Sequence, residues 1–297
     1  MNHVVPERIF EHHMNKTMIT AHSGCEGTGI DTMDSVEKAL EIGADAIEID
    51  VRTDPFGNLR ISHDPLSLES YLMKNLLEEV FHRIMPASIK VNFDLKEKAA
   101  LYKTLETAET CGFPKERMIL TGTTAPDDLL DDRELSGRAD FFLNISHVLK
   151  YVYIHRREEF TDELFTILME EPLMLVIDED IPGADVYLSD AGMIRQKLFA
   201  VSKTLREKIS EDTLRVFQET RAKALNLPKL LLDTRFMNML NAAGIPLSFW
   251  TVNDPEQINR CLELKVCNIT TRTPRSALWF RNQYWYNDNI AKRHVID

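Results

Sequence analysis

Residues 46–51 read AIEIDV, and the alternation in those six letters decides the fold. In an extended strand successive side chains point to opposite faces, so Ile47, Ile49 and Val51 share one face and Glu48 and Asp50 the other. Residues 91–96, VNFDLK, repeat the pattern, with Val91, Phe93 and Leu95 opposed to Asn92, Asp94 and Lys96. In a parallel barrel the apolar face meets the surrounding helices. The acids then point inward near the strand C-terminal ends, where barrel enzymes place their sites.

Working outward, short β-like runs alternate with helical patterns, the mark of βαβ units. The candidate strands are 18–22, 46–51, 89–95, 117–122, 141–145, 222–227, 247–252 and 267–271. Eight strands close a barrel, and a chain of 297 residues is long enough for one. Between them, DSVEKALEIGAD (34–45) has Val36, Ala39, Leu40 and Gly43 at helical spacing, with Asp34 expected as N-cap and Glu37 as its capping-box partner. The stretch SLESYLMKNLLEEVFHRIM (67–85) reads as little more than one helix, which leaves no room for a sizeable inserted cap domain. The pattern is weakest over 146–215, where LMLVID (173–178) and DVYLSD (185–190) could be strands and MIRQKLFAVSKTLREKI a helix, so a two-domain split there is the alternative. The expected architecture is a single-domain (β/α)8 TIM barrel over 18–297, preceded by a helical segment over 1–17. The tail RSALWFRNQYWYNDNI is expected to be the last barrel helix, its aromatics used for packing.

Composition narrows the partners. A net charge of −12 with no basic run disfavours nucleic acid. No window has the ~18 uninterrupted apolar residues of a membrane span, and MNHVVPERIFEHH lacks signal-peptide features, so a soluble, cytoplasmic protein is expected. The four cysteines show no metal-like spacing and are expected to be reduced thiols.

Inward carboxylates on one strand lie about 6.5 Å apart and repel, so burying them is costly unless something positive joins them. Glu48, Asp50 and Asp94 suit one hard divalent cation, Mg²⁺ or Ca²⁺, completed by water and substrate oxygens, whereas zinc would favour His or Cys. The plainer reading is an acid cluster neutralised by Lys96. Downstream, Asp54-Pro55-Phe56-Gly57 is a turn signal, and LRIS (59–62) reads as the return arm of a hairpin that ends at His63-Asp64-Pro65. His22 ends the first candidate strand, and the glycines of AHSGCEGTGID (21–31) let the next loop bend. By parity Arg52 follows Asp50. Asn144 and Asn226 end candidate strands and are expected polar lining, while His12, His13, His82, His147, His155 and His294 read as surface or structural.

AHSG, then GIDT, GADAIEIDVRTDPFGNLRISHDP, DLK, FWTVND and NITTRTP together resemble the glycerophosphodiester phosphodiesterase family. The likeness covers the first hundred and the last fifty residues well and the middle poorly. It implies a (β/α)8 barrel with one divalent cation and two catalytic histidines, placed here at His22 and His63. Glu48 and Asp50 match the first two metal ligands, and Asp94 stands where the third is usually Glu. Lys96 matches a lysine near the phosphate and Trp250 an aromatic near the alcohol portion of the substrate. Ser23 replaces a common Arg that contacts phosphate, and with Arg52 it completes the expected substrate-binding set. Ile30-Asp31-Thr32 stands where the family has Glu-Asn-Thr, and Arg272 where an acid is usual. The absence of an insert and the Asp third ligand also resemble the related phospholipase D toxins. The expected activity is metal-dependent hydrolysis of glycerophosphodiesters to glycerol 3-phosphate and an alcohol. The alternatives are a lysophospholipid or sphingolipid phospholipase D and a barrel that binds a phosphorylated ligand without turnover.

Overall fold

The computed structural model of the protein describes residues 16–177 and 203–293. All eight expected strands form: β1 Met18–Ala21, β2 Ala46–Thr53, β4 Lys90–Leu95, β5 Met118–Gly122, β6 Asp140–Asn144, β7 Ala224–Pro228, β8 Leu247–Trp250 and β9 Asn268–Thr271. They pair in parallel in chain order, and β1 pairs with both β2 and β9, which closes the barrel. A short strand β3, Leu59–Ile61, returns antiparallel along the end of β2 with Val51 opposite Ile61, the hairpin expected from the Asp-Pro-Phe-Gly turn.

The inward positions are layered. At the strand N-terminal ends Ile119, Phe142 and Ala224, with Met18 packed on them, form a small apolar plug separate from the main core. Two residues further on, a polar chain crosses the interior. Thr20 donates to Asn268 at 2.7 Å, Asn268 to Ser248 at 2.9 Å, Ser248 to Asn226 at 2.8 Å and Asn226 to Asn144 at 2.8 Å. Each of these buried groups has a partner, the condition for tolerating polar side chains here. Parity then carries His22, Asp50, Asp94 and Trp250 to the layer above, at the open end. The outward positions form the main core, where Phe93 on β4 meets Phe81 and Phe81 meets Phe113, with ring centroids 5.4 and 5.0 Å apart.

The first helix, α1 (Met33–Ile42), begins earlier than expected. Thr32, not Asp34, is the N-cap, because Thr32 is extended and its hydroxyl accepts the Ser35 amide. Asp34 falls in the first turn, where its charge still favours the positive helix end. Gly43 ends the helix with φ +73°, a left-handed conformation that costs glycine little. Between β3 and α2 (Leu77–Ile84) the chain makes only a 3₁₀ turn at Tyr71–Met73, so no cap domain is inserted there. α2 buries Leu77, Val80, Phe81 and Ile84, a stripe at helical spacing.

Around the barrel follow α3 (Ala100–Thr110), α4 (Pro126–Asp131), α5 (Ile145–His155) and α6 (Asp162–Glu170). LMLVID is not a strand: Pro172–Leu175 is a 3₁₀ turn, and Leu173–Ile177 pack against the outer core instead of a sheet that eight strands have already closed. The DVYLSD stretch and the start of the helix expected after it lie outside the described residues, as does nearly all of segment 1–17. The chain resumes in α7 (Lys203–Thr220) and continues through α8 (Arg235–Ala242), α9 (Pro255–Glu263) and α10 (Pro274–Arg293). The aromatics of α10 do not all pack: Trp279 and Tyr286 are exposed, while Phe280 and Tyr284 rest on the core. The four cysteines are free thiols. No helix among the described residues is long and apolar enough to cross a membrane.

Candidate active site

The open end of the barrel holds a cavity of about 700 Å³, lined by His22, Glu48, Asp50, His63, Asp94, Lys96 and Trp250 among others. Strand register explains the convergence. Glu48 stands beside Asn92, Asp50 beside Asp94, and Asp94 beside Thr121.

Glu48, Asp50 and Asp94 each present an oxygen within 4.8 Å of the others. Burial, with the neighbouring Asp94 charge, pushes Glu48 up to about 7, and burial together with Glu48 pushes Asp50 up to about 8. Lys96 reaches into the cluster, with Nζ 2.7 Å from Asp50 Oδ1 and also on Asp94 Oδ2. Burial disfavours its charge, but Asp94 and Asp50 outweigh that cost and its pKa is raised. The lysine does not complete the site. Three carboxylates face one ammonium, whose Nζ lies 2.7 Å from the buried Asp50 Oδ1, so the cluster keeps an excess of negative charge that one lysine does not offset. Three converging carboxylates whose charge one ammonium leaves in excess are an all-oxygen donor set for a hard divalent cation, so the residues present suit Mg²⁺ or Ca²⁺.

His22 follows β1, and its amide is held by the Thr271 carbonyl at 2.8 Å. Its Nδ1 lies 2.9 Å from the Ser23 carbonyl. A carbonyl only accepts, so Nδ1 carries the proton and Nε2 keeps the lone pair in the neutral ring. Burial lowers the His22 pKa, and although the Ser23 carbonyl works against this, the Arg272 charge adds to it. His63 lies at the end of the hairpin arm, its Nδ1 3.0 Å from Asp64 Oδ1, which likewise leaves Nε2 unbonded. The hairpin is held by Asp54, whose Oδ1 accepts the Phe56 and Asn58 amides, both at 2.9 Å, while Oδ2 accepts Arg60 Nε at 2.8 Å. Burial opposes the Asp54 charge, yet Arg60 and these amides hold its pKa at about 2.

Two expected substrate contacts do not line the cavity. Ser23 is buried beneath it, its amide donating to Glu48 at 3.0 Å and its hydroxyl bonded to Asp31. Arg52 donates to the His63 carbonyl at 2.8 Å and braces the hairpin. Trp250, Asn144 and Asn226 do line it, as expected from their places at strand ends. His147, expected to be surface or structural, also lines the cavity. It is half-buried in the cavity wall, and burial followed by the Lys150 charge lowers its pKa. Its spacing was the available signal, because a residue in the first turn after a strand end faces the barrel mouth. Asp31, noted in the sequence only as part of a departure, accepts the His63 amide through Oδ2 at 2.7 Å and the Ser23 hydroxyl through Oδ1 at 3.1 Å.

No family model matches this sequence, and no curated protein does. Solved structures match it in fold. A glycerophosphodiester phosphodiesterase from Parabacteroides distasonis aligns over 91% of this chain and 98% of its own, at 15% identity and a TM-score of 0.60. One from Thermotoga maritima covers 89% and 96% at 18% identity and a TM-score of 0.55. An Oleispira antarctica phosphodiesterase, solved in complex with the product sn-glycerol-3-phosphate, covers 90% and 97% at 14% identity and a TM-score of 0.59. At these identities the likeness is one of fold.

Proposed function

We propose that this chain is a metal-dependent phosphodiesterase that hydrolyses glycerophosphodiesters to glycerol 3-phosphate and an alcohol. The observation that carries the reading is the meeting, in one cavity, of two histidines with unbonded Nε2 atoms and three carboxylates within 4.8 Å of one another. The fold shared with phosphodiesterases, one of them solved with glycerol 3-phosphate, supports the substrate class.

A phosphodiester is anionic, and its alkoxide leaves poorly, so the site must offset charge and move protons. A divalent ion held by Glu48, Asp50 and Asp94 would supply positive charge for a phosphoryl oxygen. Lys96 adds a second cation beside it. His22, kept neutral by its lowered pKa, takes the proton of the attacking hydroxyl at Nε2. His63, nearer the solvent and held at Nδ1 by Asp64, returns a proton to the leaving oxygen.

One observation favours lysophospholipids as a second substrate class. Between His63 and Lys74, which both line the cavity, Leu68, Leu72 and Met73 are 68%, 74% and 83% exposed, an apolar rim beside the mouth. The test is glycerol 3-phosphate release from glycerophosphocholine and glycerophosphoethanolamine with Mg²⁺, Ca²⁺ or EDTA, for wild type and His22→Ala. Metal-dependent release that the substitution abolishes is expected. Release only from lysolipid micelles would move the assignment to the second class, and none from any diester would sink the enzymatic reading.

A further inference from the structure

A second cavity of about 660 Å³ adjoins the first and shares Asn144, Asn226, Trp250, Thr251 and Arg272 with it. The two are lobes of one cleft, with Trp250 and Arg272 on the divide. The first lobe holds the carboxylates and histidines and so, on the reading above, the phosphate. The second lobe, continuous with the first across Trp250, gives the alcohol portion a place beside the phosphate.

Charge distinguishes the second lobe. Lys150, half-buried on α5, and Lys229, in the turn after β7, line it together with Arg272. None of these three cations has a carboxylate partner among the described residues, whereas many other surface cations here are paired. Glu170 and Glu171, at the end of α6, line the same lobe. A lobe that offers unpaired cations and acids together matches an alcohol bearing both an acidic and an ammonium group. Of these five charged groups Lys150 is half-buried and Lys229, Arg272, Glu170 and Glu171 are exposed, so each contact with a ligand has the worth of a charge-assisted bond near the surface.

We propose that the second lobe receives the leaving alcohol and selects amino-alcohols that carry a carboxylate, as in a serine-type headgroup, over those that carry the ammonium group alone. This rests on the phosphodiesterase reading. The carboxylate would be read by Lys150, Lys229 and Arg272, and the ammonium by Glu170 and Glu171.

Glycerophosphoserine and glycerophosphoethanolamine differ by that one carboxylate, so the ratio of their kcat/KM values isolates it. The wild type is expected to favour the serine diester about tenfold, the worth of one charge-assisted contact, and Lys150→Gln/Lys229→Gln to bring the ratio to about twofold or less. Thermal melts of the double variant check that it folds. Calorimetric titration of the full chain with O-phosphoserine and with phosphoethanolamine gives a readout independent of turnover, and tighter phosphoserine binding that weakens in the double variant is expected. Equal hydrolysis of both diesters, or a ratio untouched by the double substitution, overturns the lobe's assignment while the activity stands. Preferred phosphoserine binding without hydrolysis of either diester keeps the assignment and defeats the activity. No preference in either measurement overturns it outright.

Discussion

Asp31 Oδ2 accepts the backbone amide of His63 at 2.7 Å, across 32 residues of sequence. Its other oxygen accepts the Ser23 hydroxyl, next to His22, so one carboxylate ties together the two loops that carry the histidines. Asp31 itself has φ +54°, a left-handed conformation that aspartate adopts more readily than most non-glycine residues, and the bonds it makes help to hold it there. Replacing it with Ala leaves the His63 amide and the Ser23 hydroxyl without an acceptor, at a cost of about 1–3 kcal/mol. Small displacements of catalytic groups are expensive, so kcat is expected to fall about 10- to 100-fold. Asp31→Asn keeps one acceptor and should fall between. Kinetics of the two variants beside their melting temperatures check this, and a loss of stability without a graded loss of kcat would contradict it.

The acid cluster ties stability to pH. Unfolded, Glu48 and Asp50 titrate near 4, but in the fold they are pushed up to about 7 and about 8. Between these limits the folded chain binds more protons than the unfolded one, so their contribution is complete below about pH 4 and is lost as pH rises through 7 and 8. The metal-free protein is therefore expected to lose up to about 1.4 kcal/mol per pH unit for each group across that window. A cation that replaces the protons should raise the melting temperature more at pH 8 than at pH 6. Thermal melts with EDTA or Mg²⁺, for wild type and Asp50→Asn, test it. A wild-type pH slope that Asp50→Asn leaves intact would locate the effect elsewhere.

Much of this was legible in the chain, for a physical reason. Strand parity is strict, so AIEIDV and VNFDLK assign Glu48, Asp50, Asp94 and Lys96 to one interior, and the eight apolar runs found their strands to within a residue or two. Trp250, Asn144 and Asn226 followed from standing at strand ends. Groups placed by loop geometry were harder to read. Whether Ser23 faces the cavity depends on the turn of the Gly24 loop, and Arg52 turns aside to the His63 carbonyl only because the hairpin brings it there. Asp31 gains its role from contacts with Ser23 and His63 that no local pattern encodes. LMLVID has the composition of a buried strand, yet the closed sheet has no edge to receive it.

Arg272 lines both lobes of the cleft and lowers the His22 pKa, after burial, which is the larger cause. A base with a lowered pKa stays neutral to lower pH, so the acid limb of the kcat/KM profile is expected below the ordinary histidine value of about 6.5. Arg272→Gln removes one cause and should move that limb upward. A profile recorded from pH 5 to 8 for both proteins decides it, and an unmoved limb would show that the titrating base is not His22.

Gly122 ends β5 with φ +82°, and the Cβ of any other residue would lie 2.1 Å from the Leu95 carbonyl oxygen and 2.6 Å from Asp94 Oδ1. The backbone of β5 thus approaches β4 at the very point where β4 presents its carboxylate. Gly112 supplies the control, since its φ is +68° but no atom lies within 4 Å of a Cβ placed there. Gly112→Ala should lose only the conformational cost of a left-handed alanine, about 1–2 kcal/mol, with metal affinity unchanged. Gly122→Ala must also push β4 and the Asp94 carboxylate aside, so it should melt at least about 4 °C lower and bind Mg²⁺ or Ca²⁺ more weakly. Because the two substitutions share their chemistry and backbone region, the difference between them measures the clash with β4 at Leu95 and Asp94. Equal metal affinity in the two variants would mean that Asp94 is not among the ligands.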